Sequence, residues 1–238
     1  METPFPSLTS TWHNDSYPSI SSLRPELSAA GKTVIIVGAG SGIRRATAAS
    51  FDHAGASKII LIASVTNEAI SSVAAIVGLW NVLVLAADYL SQPATIMDSL
   101  VDEWLYDPRK SVPSHHQPFP RCYHQPGLSA HTSSKLAVVK IMDYIAAEAL
   151  SVFAAALSPG MIHTAIIDKL GIDAATLPFD SVGLPANFMV WLTSPEASLN
   201  GRYVYANWNV AELKARAEEI KSGAILTPGV TGWPFAPA

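Results

Sequence analysis

At 238 residues, with 49% hydrophobic and only 14% charged side chains, the chain suits one large domain whose buried share is unusually high. A formal net charge of −4 without a basic stripe argues against nucleic acid as a partner. No apolar run approaches the ~18 residues of a membrane span, the start METPFPSLTSTWHND lacks the basic and apolar regions of a signal peptide, and the single Cys122 allows no internal disulfide, so a cytoplasmic protein without a membrane partner is expected.

Residues 1–31, punctuated by Pro4, Pro6, Pro18 and Pro25, show neither a helical nor a strand period and read as an N-terminal arm on a single domain covering 32–238. The first strand is Thr33 to Val37, a β-branched run that breaks into Gly38, Ala39, Gly40, Ser41 and Gly42 and then into a helix from Ile43 to about Ala54. Lys58 to Ala63 is a second strand, Asn67 to Val77 a helix, Asn81 to Leu85 a third strand, and Asp98 to Leu105 a short helix. Short apolar strands alternating with helices predict an α/β fold, a Rossmann-like doubly wound parallel sheet flanked by helices. Pro108, Pro113, Pro118, Pro120 and Pro126 then make a long loop, a feature that is uncommon inside a compact domain.

Regularity returns near Ser129 with a long helix carrying His131, Lys135, Val138 and Met142 along one side. Phe153 to Leu157 is predicted as a strand ending at Ser158, Pro159 and Gly160, Leu184 to Leu192 as a helix, and Arg202 to Ala206 as the last strand. Asn209 with Glu212 three residues later predicts a capping box for a terminal helix through Lys221, supported by a Glu212 and Arg216 pair.

Four of these segments, in order, resemble the short-chain dehydrogenases/reductases, particularly the type common in fungal secondary metabolism. VGAGSGIRRATA resembles the family's Thr-Gly-x-x-x-Gly-x-Gly turn, NVLVLAAD the strand that ends Asn-Asn-Ala-Gly, HTSSK the Tyr-x-x-x-Lys pair, and SPGMIHT the Pro-Gly loop beside the nicotinamide. The resemblance implies an oxidoreductase using NAD or NADP on the carbonyl or alcohol of a small-molecule substrate, with His131 and Lys135 as the catalytic pair. Glycines at such a turn let backbone N–H groups approach a pyrophosphate at the positive end of a helix, which makes Gly38, Gly40, Ser41, Gly42 and Ile43 cofactor contacts. A turn kept only for packing is the alternative. The resemblance adds Lys135, Pro159, Gly160, Ile162 and Thr164 to the cofactor site, Thr164 serving equally well as a helix N-cap. It also implies a homodimer or homotetramer through the long helices.

Four departures bear on activity. Arg44 replaces the turn's last glycine, where it either displaces the helix or points at a phosphate. His131 stands where the family has tyrosine; an imidazole titrates near neutrality, but its reach is on the order of 1–2 Å shorter, and a misplacement of about 1 Å can cost about a hundredfold in rate. Gln117, Pro118 and Phe119 lie where a catalytic serine belongs. Finally, the third and fifth strands of the family's 3-2-1-4-5-6-7 order look shortened or lost, and loss of the internal fifth leaves its neighbours unpaired. Either residues 119–123 fill that gap, or the Leu85 and Phe153 strands pair directly. A non-redox protein on the same scaffold, as a pseudoenzyme binding or assembly partner or a cyclase or isomerase, is therefore the second reading. Ser64, at the end of the second strand, selects neither NAD nor NADP, and His115, His116 and His124 lack ligand spacing, so no metal site is expected.

Overall fold

The computed structural model describes residues 7–38, 42–62, 72–73, 78–86, 97, 127–163 and 178–229. Strand β1 (Thr33–Val37) runs between β2 (Lys58–Ile62) and β3 (Val82–Leu85), parallel to both, with Val37 opposite Ile62 on one side and Leu85 on the other. A central parallel strand is covered on both faces, which is why four of its five residues are buried and all five are Thr, Val or Ile. A second parallel pair joins β4 (Ala156–Ser158) to β5 (Tyr203–Tyr205). These two groups match 2-1-4 and 6-7 of the family order; among the described residues no third or fifth strand appears.

Around the strands lie α1 (Gly42–His53), α2 (Ser129–Glu148), α3 (Gly183–Leu192), α4 (Val210–Ala215) and α5 (Ala217–Ser222). Helices α1 and α3 pack on each other, and the core between them and the sheet contains Phe51, Leu184, Phe188 and Trp191, all at most 1% exposed. Phe188 and Trp191 meet edge to face at 5.1 Å, a geometry favoured by their ring quadrupoles. Truncating such a side chain to alanine typically costs about 3–5 kcal/mol.

Several expectations need correction. Direct pairing of the Leu85 and Phe153 segments does not occur: β3 and β4 belong to separate sheets, and Phe153 lies outside β4, 42% exposed. Residues 119–123 fall outside the described residues, as do most of the predicted helices at 67–77 and 98–105 and the proline-rich loop. The terminal helix is broken at Arg216 into α4 and α5. Its Asn209 cap is made, Oδ1 accepting from the Ala211 and Glu212 amides, but Glu212 does not close the box. Its carboxylate instead accepts the Ser10 and Thr11 amides at 2.6 and 3.0 Å, and Arg216 pairs with Glu219 in a two-point contact at 2.7 and 2.8 Å.

Residues ahead of β1 are built into the core: Ile20 and Leu27 are at most 1% exposed, and Trp12 bridges Trp208. Tyr17 Oη donates to the Trp208 carbonyl at 2.9 Å and accepts the Val210 amide at 3.0 Å, thereby satisfying one of α4's unpaired first-turn donors. Burial pushes its phenol well above the usual range, so it stays neutral and fit for both roles. Tyr17→Phe is expected to lower the free energy of unfolding by about 1–3 kcal/mol, read by urea denaturation, because it strands the Val210 N–H.

Candidate functional site

Residues four apart on a helix share a face, and on α2 that rule brings His131, Lys135 and Val139 into one buried stripe, 5%, 3% and 4% exposed. Val139, not Val138, continues the stripe inward; Met142 packs against the core part-buried. The opposite side of α2 shows Leu136, Ile141 and Tyr144 to solvent, each 46% exposed or more. An ammonium as buried as that of Lys135 sits where the local dielectric is low, so its interactions are strong and directional.

The Gly-rich turn leaves β1 through Gly38 at φ +85°, whose N–H donates to Ile62 O at 2.5 Å, and enters α1 through Gly42 at φ +56°. Both dihedrals favour glycine. A Cβ built on Gly42 would meet no atom of the described residues within 4 Å, as is also true at Gly31, Gly55 and Gly78, so no described side chain covers the start of α1 at that point. Ile43 turns its side chain into the core, 6% exposed, leaving only its backbone for a ligand. Gly40 and Ser41 lie outside the described residues. Arg44 neither lifts α1 off the core, where Thr47 and Phe51 are wholly buried, nor lies over Gly42. Its Nη1 donates to Ala86 O at 3.1 Å, just past the end of β3. The guanidinium thus spans from the helix after β1 to the carboxyl end of the neighbouring strand, the place where open parallel sheets bind ligands.

The third part follows β4. Ser158, Pro159, Gly160 and Ile162 are all buried, and Gly160 has φ +86°. A Cβ there would run into Asp180 Oδ2 and come within 2.9 Å of Asn207 Oδ1, so no side chain fits. Asp180 fills that place: it accepts the Met161 amide at 2.7 Å and Asn14 Nδ2 at 2.6 Å, with Asn207 close by and donating its Nδ2 to His13 O at 2.8 Å. Burial raises its carboxyl above the ordinary range, opposed by the hydrogen bonds from Met161 and Asn14. Sequence reading missed Asp180, Asn14 and Asn207, because none stands in a recognisable motif. Thr164 lies outside the described residues. Among the described residues no cluster of His, Cys, Asp or Glu could hold a metal.

The described site thus comprises the glycines that flank the turn after β1, the buried His131 and Lys135 on one face of α2, and the buried loop after β4 packed against Asp180. No family model matches the chain. It is 42% identical over 102 residues to the short chain dehydrogenase mpl6 of Monascus purpureus, a match covering 42% of this chain and only 35% of that protein. Against the short chain dehydrogenase/reductase AacuD of Aspergillus aculeatus it is 26% identical, covering 93% of this chain and 96% of the relative. Among solved structures, a gluconate 5-dehydrogenase from Burkholderia cenocepacia in complex with NADP and tartrate superposes with a TM-score of 0.64 at 17% identity, over 82% of this chain and 99% of that one. The chain is similar to short-chain dehydrogenases/reductases, over part of its length at 42% identity and over most of it at 26%. The alignment with AacuD runs over 279 positions, more than the 238 residues present here, so that dehydrogenase/reductase has positions without a counterpart in this chain. This agrees with a shortened version of the family's sheet.

Asp180 gives a pH test of this site's electrostatics. With a carboxyl pKa higher in the folded than in the unfolded state, the folded state holds more protons between the two values. Its contribution to stability is therefore largest at acid pH and falls as pH rises through that window. Asp180→Asn is expected to remove this component, seen as a wild-type minus variant difference in unfolding free energy that declines from about pH 4 upward and levels off; a flat difference would refute it.

Proposed function

We propose that the chain is an NAD(P)-dependent oxidoreductase acting on a carbonyl or alcohol of a small metabolite, with an N-terminal arm over 1–31, its described residues packed into the core of the domain of 32–238. The observation that carries this reading is the buried pair His131 and Lys135, placed on one helix face where the family has its Tyr-x-x-x-Lys pair. Gly38, Gly40, Ser41, Gly42 and the Ile43 backbone would hold the pyrophosphate, Pro159, Gly160, Ile162 and Thr164 the nicotinamide side. When bound, the dinucleotide supplies or accepts a hydride at the substrate carbon. Lys135 would hold ribose hydroxyls through its ammonium, and His131 would pass a proton to or from the substrate oxygen at a ring nitrogen.

Relatives support the broader class, and the buried pair supports the finer one. NAD against NADP stays open, since Ser64 offers neither an acid nor a base to the adenosine ribose. The exposed side of α2, where Leu136, Ile141 and Tyr144 stand among Lys140 and Asp143, would be the contact of a homodimer or homotetramer through that helix. No helix among the described residues is long and apolar enough to cross a membrane, and a cytoplasmic location is part of the proposal. A second reading, a non-redox binding partner, cyclase or isomerase on the same scaffold, rests on His131 in place of the family's tyrosine and on Gln117, Pro118 and Phe119 where its serine belongs.

Titration with NADH and NADPH, followed by turnover across a panel of carbonyl substrates, separates the two. Lys135→Ala is expected to weaken dinucleotide binding about tenfold or more, as loss of charge-assisted hydrogen bonds does. His131→Phe should leave binding within about twofold and lower kcat by about a hundredfold or more, the scale of a lost general acid-base group. Tight dinucleotide binding without hydride transfer to any carbonyl would remove the redox reading.

A further inference from the structure

The segment ahead of β1 reaches the loop after β4 through a short chain of hydrogen bonds. The His13 amide donates to Asn207 O at 2.8 Å, and Asn207 Nδ2 returns to His13 O at 2.8 Å. One residue on, Asn14 Nδ2 donates to Asp180 Oδ1 at 2.6 Å, and the Ser181 amide donates to Asn14 O at 2.8 Å. Asp180 then grips Met161 at two points: its Oδ2 accepts the Met161 amide, and its own amide donates to Met161 O, both at 2.7 Å. Against Gly160 the carboxylate occupies the volume a side chain would need.

We propose that Asp180 is a positioning residue that carries the placement of His13 and Asn14 to the Pro159–Gly160 turn and so shapes the nicotinamide end of the dinucleotide site. This rests on the oxidoreductase reading. Burying a carboxylate is costly, and filling the space beside Gly160 alone would be met more cheaply by an apolar side chain. What a carboxylate adds is two acceptors aimed in two directions, one at each segment. Inside a low-dielectric site such bonds fix positions closely, and a shift of about 1 Å near reacting atoms is costly. Asp180 touches no reacting atom; it acts through the Met161 backbone.

The test uses the full chain and calorimetric affinities for the tighter of NADH and NADPH, alongside ADP-ribose or its 2′-phosphate, which reaches the Gly-rich turn but lacks nicotinamide. Asn14→Ala, an exposed position, and Asp180→Ala are expected to weaken the whole dinucleotide about tenfold, the scale of one hydrogen bond to a charged group, while leaving the ADP-ribose ligand within about twofold. Asp180→Asn should restore most of the loss, since its amide oxygen accepts the Met161 N–H and a turned Asn14 amide accepts its NH2. Equal loss for both ligands, unchanged dinucleotide affinity in Asn14→Ala, or Asp180→Asn as damaging as Asp180→Ala would each overturn the proposal. If the wild type binds no dinucleotide, the redox reading falls and hydrogen exchange decides the coupling: Asn14→Ala should speed exchange of the Met161 amide about tenfold relative to Gly38, and unchanged protection there would overturn it.

Discussion

A carboxylate removed from water has to be satisfied by donors held in place around it, and Asp180 draws those donors from two other parts of the chain. Asn14 comes from ahead of the first strand and Met161 from the loop after β4, while Asn207, after β5, joins the network through His13, its Nδ2 donating to His13 O. Because Gly160 has no room for a side chain, the carboxylate and the turn are shaped to each other. The buried loop, the integrated N-terminal segment and the path of the chain after β5 all depend on that arrangement.

The same logic explains why a sheet with so few described strands can hold a core. β1 is paired on both sides, and α1 and α3 cover it with large aromatic and aliphatic side chains. The β4 and β5 ladder is continued by the Ala206 amide to Ser158 O at 2.9 Å, and the Tyr203 amide joins β5 to Leu226 O at 2.9 Å. Residues 7–29 add Ile20 and Leu27 to the apolar interior, which makes them part of the packing and not a loose covering.

Much of this was legible in the residues. Thr33 to Val37 followed by glycines gives strand and turn because β-branched side chains suit a pleated sheet and positive φ suits glycine, and the i, i+4 spacing of His131 and Lys135 gives a shared face directly. Other features depend on tertiary contacts that local pattern does not encode. FAAAL is apolar throughout, so periodicity does not say which of its residues pair, and β4 begins three residues later than Phe153. Glu212 sits at the spacing of a capping box, yet the Ser10 and Thr11 amides compete for its carboxylate and win. Asp180 lies in an aperiodic stretch, and its partner Asn14 is 166 residues away, so nothing in its neighbourhood announces the contact.

That separation has a consequence for how the protein is made. Asn14 leaves the ribosome early, and at about 5–20 residues per second the matching carboxylate follows on the order of ten seconds or more behind it. Until then the Met161 backbone has no Asp180 to grip it, and Asn207, the other anchor of His13, arrives later still. The loop after β4 therefore takes its final form only after Asp180 and Asn207 have been made, and nascent chains halted before Asp180 would carry the Gly-rich turn without it.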